Sequence, residues 1–97
     1  MRIFQIDFDV PYPFSKFDQI FVPEKRGGME NAGIVALPED SLARGKVKTF
    51  KDQVSTATLI THEMVHQWFG NLVTCKWWND LWLNEAFPTY FEDYLIN

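Results

Sequence analysis

The chain has 97 residues and a mass of 11.4 kDa, enough for one small domain or a piece of a larger one, with about 60% of the unfolded surface buried at best. Hydrophobic residues at 46% and charged residues at 23% are ordinary globular composition, which excludes disordered, collagen-like and coiled-coil classes. Nine Lys and Arg against 13 Asp and Glu give a net charge of -4, and no basic run exceeds Lys25-Arg26, so a nucleic-acid partner is not expected.

Cys75 is the only cysteine, which rules out an internal disulfide and any paired-cysteine metal or redox site. No apolar run approaches the roughly 18 residues of a membrane span. Arg2, Asp7 and Asp9 interrupt Met1 to Val10, where a signal peptide needs an apolar stretch. Nine Phe, four Trp and three Tyr are more large rings than so short a chain readily hides, and all four Trp fall between Trp68 and Trp82. Tyr90 to Asn97 still reads as helix without a closing signal. Together these features point to a segment of a larger structure, with the remainder of the full-length chain as its packing partner.

In chain order, Arg2 to Asp9 alternates Phe4, Ile6 and Phe8 with more polar residues and is read as a half-buried strand, a helix being the alternative over so few residues. Val10-Pro11-Tyr12-Pro13 must be extended or turned. Phe17 to Val22 is a second strand ended by Pro23, and Glu24 to Gly28 a charged turn. Met29 to Leu37 is a third strand in which Gly33 allows a chain or ligand close. Pro38 to Asp52 is a solvated connection. From Ser55 the period becomes helical, with Ser55 or Thr56 as cap and Gly70-Asn71 as stop. This helix is apolar on most faces, as expected of one buried within a larger structure. It nevertheless contains His62, Glu63 and His66, and buried polar groups need partners or a metal.

His62-Glu63-Met64-Val65-His66 places two imidazoles one helical turn apart, about 40° apart around the axis, so both can reach one point. Neutral imidazole nitrogen suits zinc, and a catalytic zinc takes three protein ligands and leaves a position for water. Glu63 points about 100° away from His62, outside the ligand set but within reach of that water. Shuffling this composition gives the pattern about once in a thousand arrangements. A third ligand should arrive from another element. Glu85, separated from His66 by eighteen residues and at the start of a second helix carrying Phe87, Phe91, Tyr94 and Leu95, can supply it if the helices are antiparallel.

His62-Glu63-x-x-His66, the eighteen-residue gap and Glu85 resemble the zinc signature of the gluzincin aminopeptidases. Gly27-Gly28-Met29-Glu30-Asn31 is similar to that family's exopeptidase motif, with Asn31 lying 31 positions before His62. The likeness runs from about Tyr12 to Asn97 and is nearest the aminopeptidase N group. It implies one zinc per chain held by His62, His66 and Glu85, with Glu63 as general base. It also implies substrate binding by Gly28, Met29, Glu30 and Asn31, with Glu30 holding the free α-ammonium of a peptide.

The implied fold class is α+β: part of a thermolysin-like zinc metallopeptidase catalytic domain, with short strands followed by two zinc-bearing helices. Residues 1–54 form the strand and loop part with the exopeptidase motif, and residues 55–97 the zinc-binding helices. The implied function is release of N-terminal amino acids from peptides. A zinc endopeptidase, or a non-catalytic segment or binding surface, are the alternatives. Relatives of this group are often held at the outer membrane surface. Oligomeric state is open.

Asp80 or Glu92 is expected to orient the ligand histidines. Tyr90 and Tyr94 are read as core, and Trp77, Trp78 and Trp82 as core or cleft wall. Gly28, Ala86 and Pro88 depart from the family pattern of Ala, Gly and Ala. Deep in a helix, Pro88 would press on the carbonyl of Asn84, next to Glu85. The family's oxyanion-stabilising tyrosine lies beyond Asn97, so the segment alone is expected to be a poor enzyme.

Overall fold

The computed structural model describes residues 2–42 and 49–96. In chain order it contains helix α1 (Arg2–Phe8), strands β1 (Asp18–Val22) and β2 (Ile34–Pro38), a short 3-10 turn (Glu39–Ser41), helix α2 (Phe50–Val65), a second 3-10 turn (Trp78–Asp80) and helix α3 (Leu81–Ile96). The α+β class and the order of strands before two long helices are as expected.

Residues 2–8 are helical, correcting the strand expectation. In a strand, Phe4, Ile6 and Phe8 share a face. Here Phe4 and Phe8, one helical turn apart, stack at 5.5 Å and both pack on Trp68, while Ile6 is 69% exposed. A distant ring decides between two periods that seven residues leave open. Asp9, with φ of 51°, ends the helix in the left-handed region.

β1 and β2 pair in parallel, Asp18 opposite Ile34 through Val22 opposite Pro38. β2 supplies the buried Val35, Ala36 and Leu37. Met29 exchanges both backbone hydrogen bonds with Ala36 at 2.9 Å. Because successive peptide groups of a strand face opposite edges, the Gly27–Asn31 segment lies along the β2 edge opposite β1.

α2 begins five residues before the expected Ser55. Thr49 is its cap: its hydroxyl accepts from the Asp52 N–H while the Asp52 carboxylate accepts from the Thr49 N–H. This reciprocal arrangement satisfies two backbone donors otherwise left open at the helix start. Phe50 to Asp52 are therefore helical, not connection. The regular helix closes at Val65, short of Gly70-Asn71, and Asn71 N–H then bonds back to the His66 carbonyl at 3.0 Å. Only Glu63 and Val65 of α2 are buried, so the helix is not enclosed on all sides among the described residues.

One core joins α1 to the helix pair: Phe4, Val65 and Trp68 are buried, with Phe8, Tyr12, Met64, Phe69, Phe91 and Leu95 around them. Trp68 Nε1 donates to the Val10 carbonyl at 3.1 Å, fixing the ring's polar end. α3 runs through Pro88, which is buried in its interior rather than in its first turn. Other aromatics lie outside. Trp77, Trp78 and Trp82 are 69%, 74% and 65% exposed, and Tyr90 and Tyr94 are 63% and 61% exposed. Their reading as core is corrected among the described residues, while Trp77 and Trp78 wall a pocket with Gly70, Leu81 and Asn84.

Candidate metal centre and peptide cleft

His62 sits three positions before the last residue of α2 and His66 caps it, so both rings project from one face toward α3. Their Nε2 atoms lie 3.1 Å apart. Glu85, in the second turn of α3 rather than at its start, places Oε2 3.2 Å from the first and 3.6 Å from the second. His62 also meets Glu92, further along α3, which is the order antiparallel helices impose.

The outer nitrogens set the charge logic. His66 Nδ1 is 3.0 Å from the Phe69 carbonyl, which can only accept, so Nδ1 carries the hydrogen and Nε2 a lone pair. His62 Nδ1 is 2.6 Å from Glu92 Oε2, and the same reasoning leaves its Nε2 bare. Two imidazole lone pairs and a carboxylate oxygen therefore converge with no hydrogen among them. One added proton would satisfy one pair; a divalent cation satisfies all three. The separations also fit, because a tetrahedral zinc with ligands at about 2.0–2.1 Å sets its donor atoms about 3.3 Å apart. His62, His66 and Glu85 thus form a group able to hold a metal ion.

Glu63 points to the other side of the same cleft. It is 4% exposed, and its Oε2 has no hydrogen-bond partner. Burial pushes its carboxyl up to about 7; nearby His62 and Lys25 oppose the rise, and Glu30 and Glu85 add to it. Gly28 lies directly against it: a Cβ there would overlap the Glu63 carboxylate as placed here and make that side chain shift. Glu30, Glu63 and His66 present atoms within 4.8 Å of one another.

The cleft has a volume of about 610 Å³ and its walls include Gly28, Glu30, Glu63 and the three candidate ligands, with Ser55, Thr58 and Leu59 of α2 beside them. Sequence-expected residues from three segments, the Gly27–Asn31 loop, α2 with its cap, and α3, are thereby brought together. Two are not: Met29 is engaged at its backbone by β2 and 44% exposed, and the Asn31 carbonyl accepts from Ile34 N–H, so neither side chain lines the cleft. At Gly33 (φ 73°) it is the chain that comes close: an added Cβ would lie 3.3 Å from the Lys16 carbonyl. Of the two carboxylates expected to orient histidines, Glu92 does so, whereas Asp80 accepts from Asn79.

Sequence reasoning passed over Gln67 and Asn71, whose side chains bond to the Glu30 backbone. The available signal was an amide set in the apolar run Val65 to Phe69, where a buried polar group requires partners.

Comparison with known proteins places these observations. The chain is 54% identical over 90 residues to aminopeptidase N of Streptomyces lividans, covering 92% of this chain. It is 47% identical over 94 residues to human aminopeptidase N, covering 95%, and 46% identical over 92 residues to human endoplasmic reticulum aminopeptidase 2, covering 93%. It spans about 10% of the length of each of these relatives. The peptidase family M1 domain matches residues 1–97, and the chain belongs to that family.

Proposed function

We propose that this chain carries the metal and substrate-terminus sites of a zinc-dependent aminopeptidase that removes residues from peptides with a free N-terminus. The observation that carries the reading is the convergence of three donor atoms, on His62, His66 and Glu85, beside Glu63 and Glu30 in one cleft. The names of the relatives support the exopeptidase part.

A zinc ion held by His62, His66 and Glu85 supplies an acidified water and a polarising charge for the scissile carbonyl. Glu92 and the Phe69 carbonyl hold the two imidazoles with Nε2 facing inward. Glu63 takes a proton from the attacking water as the oxygen–carbon bond forms. It returns that proton to the leaving nitrogen as the carbon–nitrogen bond breaks, a dual role suited to a carboxyl whose pKa lies near neutrality. The anionic Glu30 selects a substrate ammonium, because an uncharged chain end would leave it without its partner. A zinc endopeptidase would share every role except that of Glu30. No helix of the described residues is long and apolar enough to cross a membrane, and an external, membrane-held setting rests on the resemblance alone.

The test uses the whole protein containing this chain. It should hold zinc in proportion to its concentration, and an aminoacyl amide should be cleaved far faster than its N-acetylated form. Equal cleavage would remove the exopeptidase reading, and full activity in Glu63→Gln would remove the catalytic one.

A further inference from the structure

Gln67 directly follows His66, is fully buried, and uses both ends of its amide. Its Oε1 accepts from Gly33 N–H at 2.8 Å. Its Nε2 donates to the Glu63 carbonyl at 3.2 Å and to the Glu30 carbonyl at 3.4 Å. Asn71 Nδ2 donates to the same Glu30 carbonyl at 2.6 Å. Two side chains from the turn after α2 thus hold the backbone of the Gly27–Gly33 loop at Glu30 and at Gly33. From the other side, the reciprocal Met29–Ala36 pair ties that loop to β2.

Glu30 is thereby fixed at its backbone from two directions, which sets where its side chain starts, and its carboxylate comes within 4.8 Å of a ring nitrogen of the adjoining His66. In an aminopeptidase the separation between the ammonium-holding carboxylate and the metal decides which peptide bond is presented for attack. We propose that Gln67, assisted by Asn71, is the positioning residue that sets this separation and so limits cleavage to the first bond; the inference rests on the aminopeptidase reading above. A primary amide suits the task chemically, since one neutral group must accept from Gly33 and donate to two carbonyls. A carboxylate cannot donate, a thioether provides neither bond at useful strength, and Asn is one methylene short of the span.

The experiment compares the parent protein with Gln67→Met, Gln67→Glu and Asn71→Ala, each in the full chain and with its zinc content measured. The quantity read is kcat/KM for an aminoacyl amide divided by that for its N-acetylated counterpart. Both Gln67 variants should lower this ratio by about tenfold or more at full zinc occupancy, because a misplacement of about 1 Å is costly in a positioned site. Most of the loss should fall in KM for the free-amine substrate. Asn71→Ala should lower the ratio by a smaller factor, and it decides the matter if the buried Gln67 variants do not fold. A ratio within about twofold of the parent in Asn71→Ala and in every folded Gln67 variant overturns the proposal, as does a loss confined to kcat for both substrates alike. A parent ratio near one is a different failure, since it removes the aminopeptidase reading itself.

Discussion

Glu92 offers the sharpest test of the proposed metal centre because it is outside the ligand set and acts through His62, holding the ring plane and the hydrogen on Nδ1. The His62 Nδ1 to Glu92 Oε2 distance is 2.6 Å, and the two side chains are 18% and 19% exposed, so water competes poorly for the contact. In Glu92→Ala, His62 loses both the anchor of its ring plane and the acceptor that keeps hydrogen on Nδ1. A hydrogen moved to Nε2 would remove one of the three converging lone pairs. Loss of such an outer partner costs about 10- to 100-fold in metal affinity, or about 1.4–2.8 kcal/mol. Glu92→Gln, which keeps an accepting oxygen without its charge, should cost less. The assay is zinc competition against a chelator of known affinity near neutral pH, with activity then measured at saturating zinc. Activity should return in large part once zinc is restored, because the chemistry itself is not altered. A zinc affinity in Glu92→Ala within about twofold of the parent would refute the reasoning, since the tautomer argument for convergent lone pairs depends on that contact. His66 has no equivalent deletion: its outer partner is the Phe69 carbonyl.

Glu63→Gln should lower kcat by about 10²- to 10⁴-fold with zinc content unchanged, measured by turnover and metal analysis on one preparation. The same substitution reports the burial of the carboxyl. Its pKa is raised from 4.5 to about 7, so in metal-free protein it favours the folded state below pH 4.5, and that contribution is lost as pH rises to about 7. Chelated Glu63→Gln should therefore gain in denaturant midpoint over chelated parent between pH 5 and 8, by about 3 kcal/mol at most; a constant difference would contradict the shift. Pro88→Ala should raise thermal stability, because an interior proline costs about 3 kcal/mol while its two extra buried methylenes return about 1.6 kcal/mol. Differential scanning on parent and variant checks the sign. Trp68→Ala removes the ring that meets Phe4, Phe8 and Tyr12 and should cost about 3–5 kcal/mol in chemical denaturation, whereas Trp68→Phe should cost less.

How much of this was legible in the sequence depends on the range over which each feature is decided. The His62–His66 turn was readable because 3.6 residues per turn fixes their mutual position whatever surrounds them. Glu92 was readable by the same arithmetic: seven residues from Glu85 is two turns less about 20°, so both carboxylates share the α3 face that meets the histidines. The start of α2 was missed because its first turn is exposed, with Phe50 alone among Lys51, Asp52 and Gln53 and so no apolar repeat. Apolar periodicity marks where a helix is packed, whereas the Thr49–Asp52 cap marks where it begins.

The features that were not legible are those set by segments far apart in the chain. α1 is a helix because Phe4 and Phe8 find Trp68 some sixty positions on, and nothing within residues 2–8 announces that ring. Gln67 is the functional counterpart of that case. Its amide is plain in the sequence, yet what it does depends on a loop more than thirty positions upstream, itself placed by Met29 on β2. In the proposed metal triad the His62–His66 pair is local geometry readable from spacing, and Glu85 joins it once α2 and α3 pack antiparallel. The distance from that triad to Glu30 is tertiary, held by amide hydrogen bonds between segments that no spacing connects. If chain-end selectivity is written anywhere in this protein, it is in those bonds, and a substitution at Gln67 can relax where the peptide is cut while His62, His66 and Glu85 keep their places.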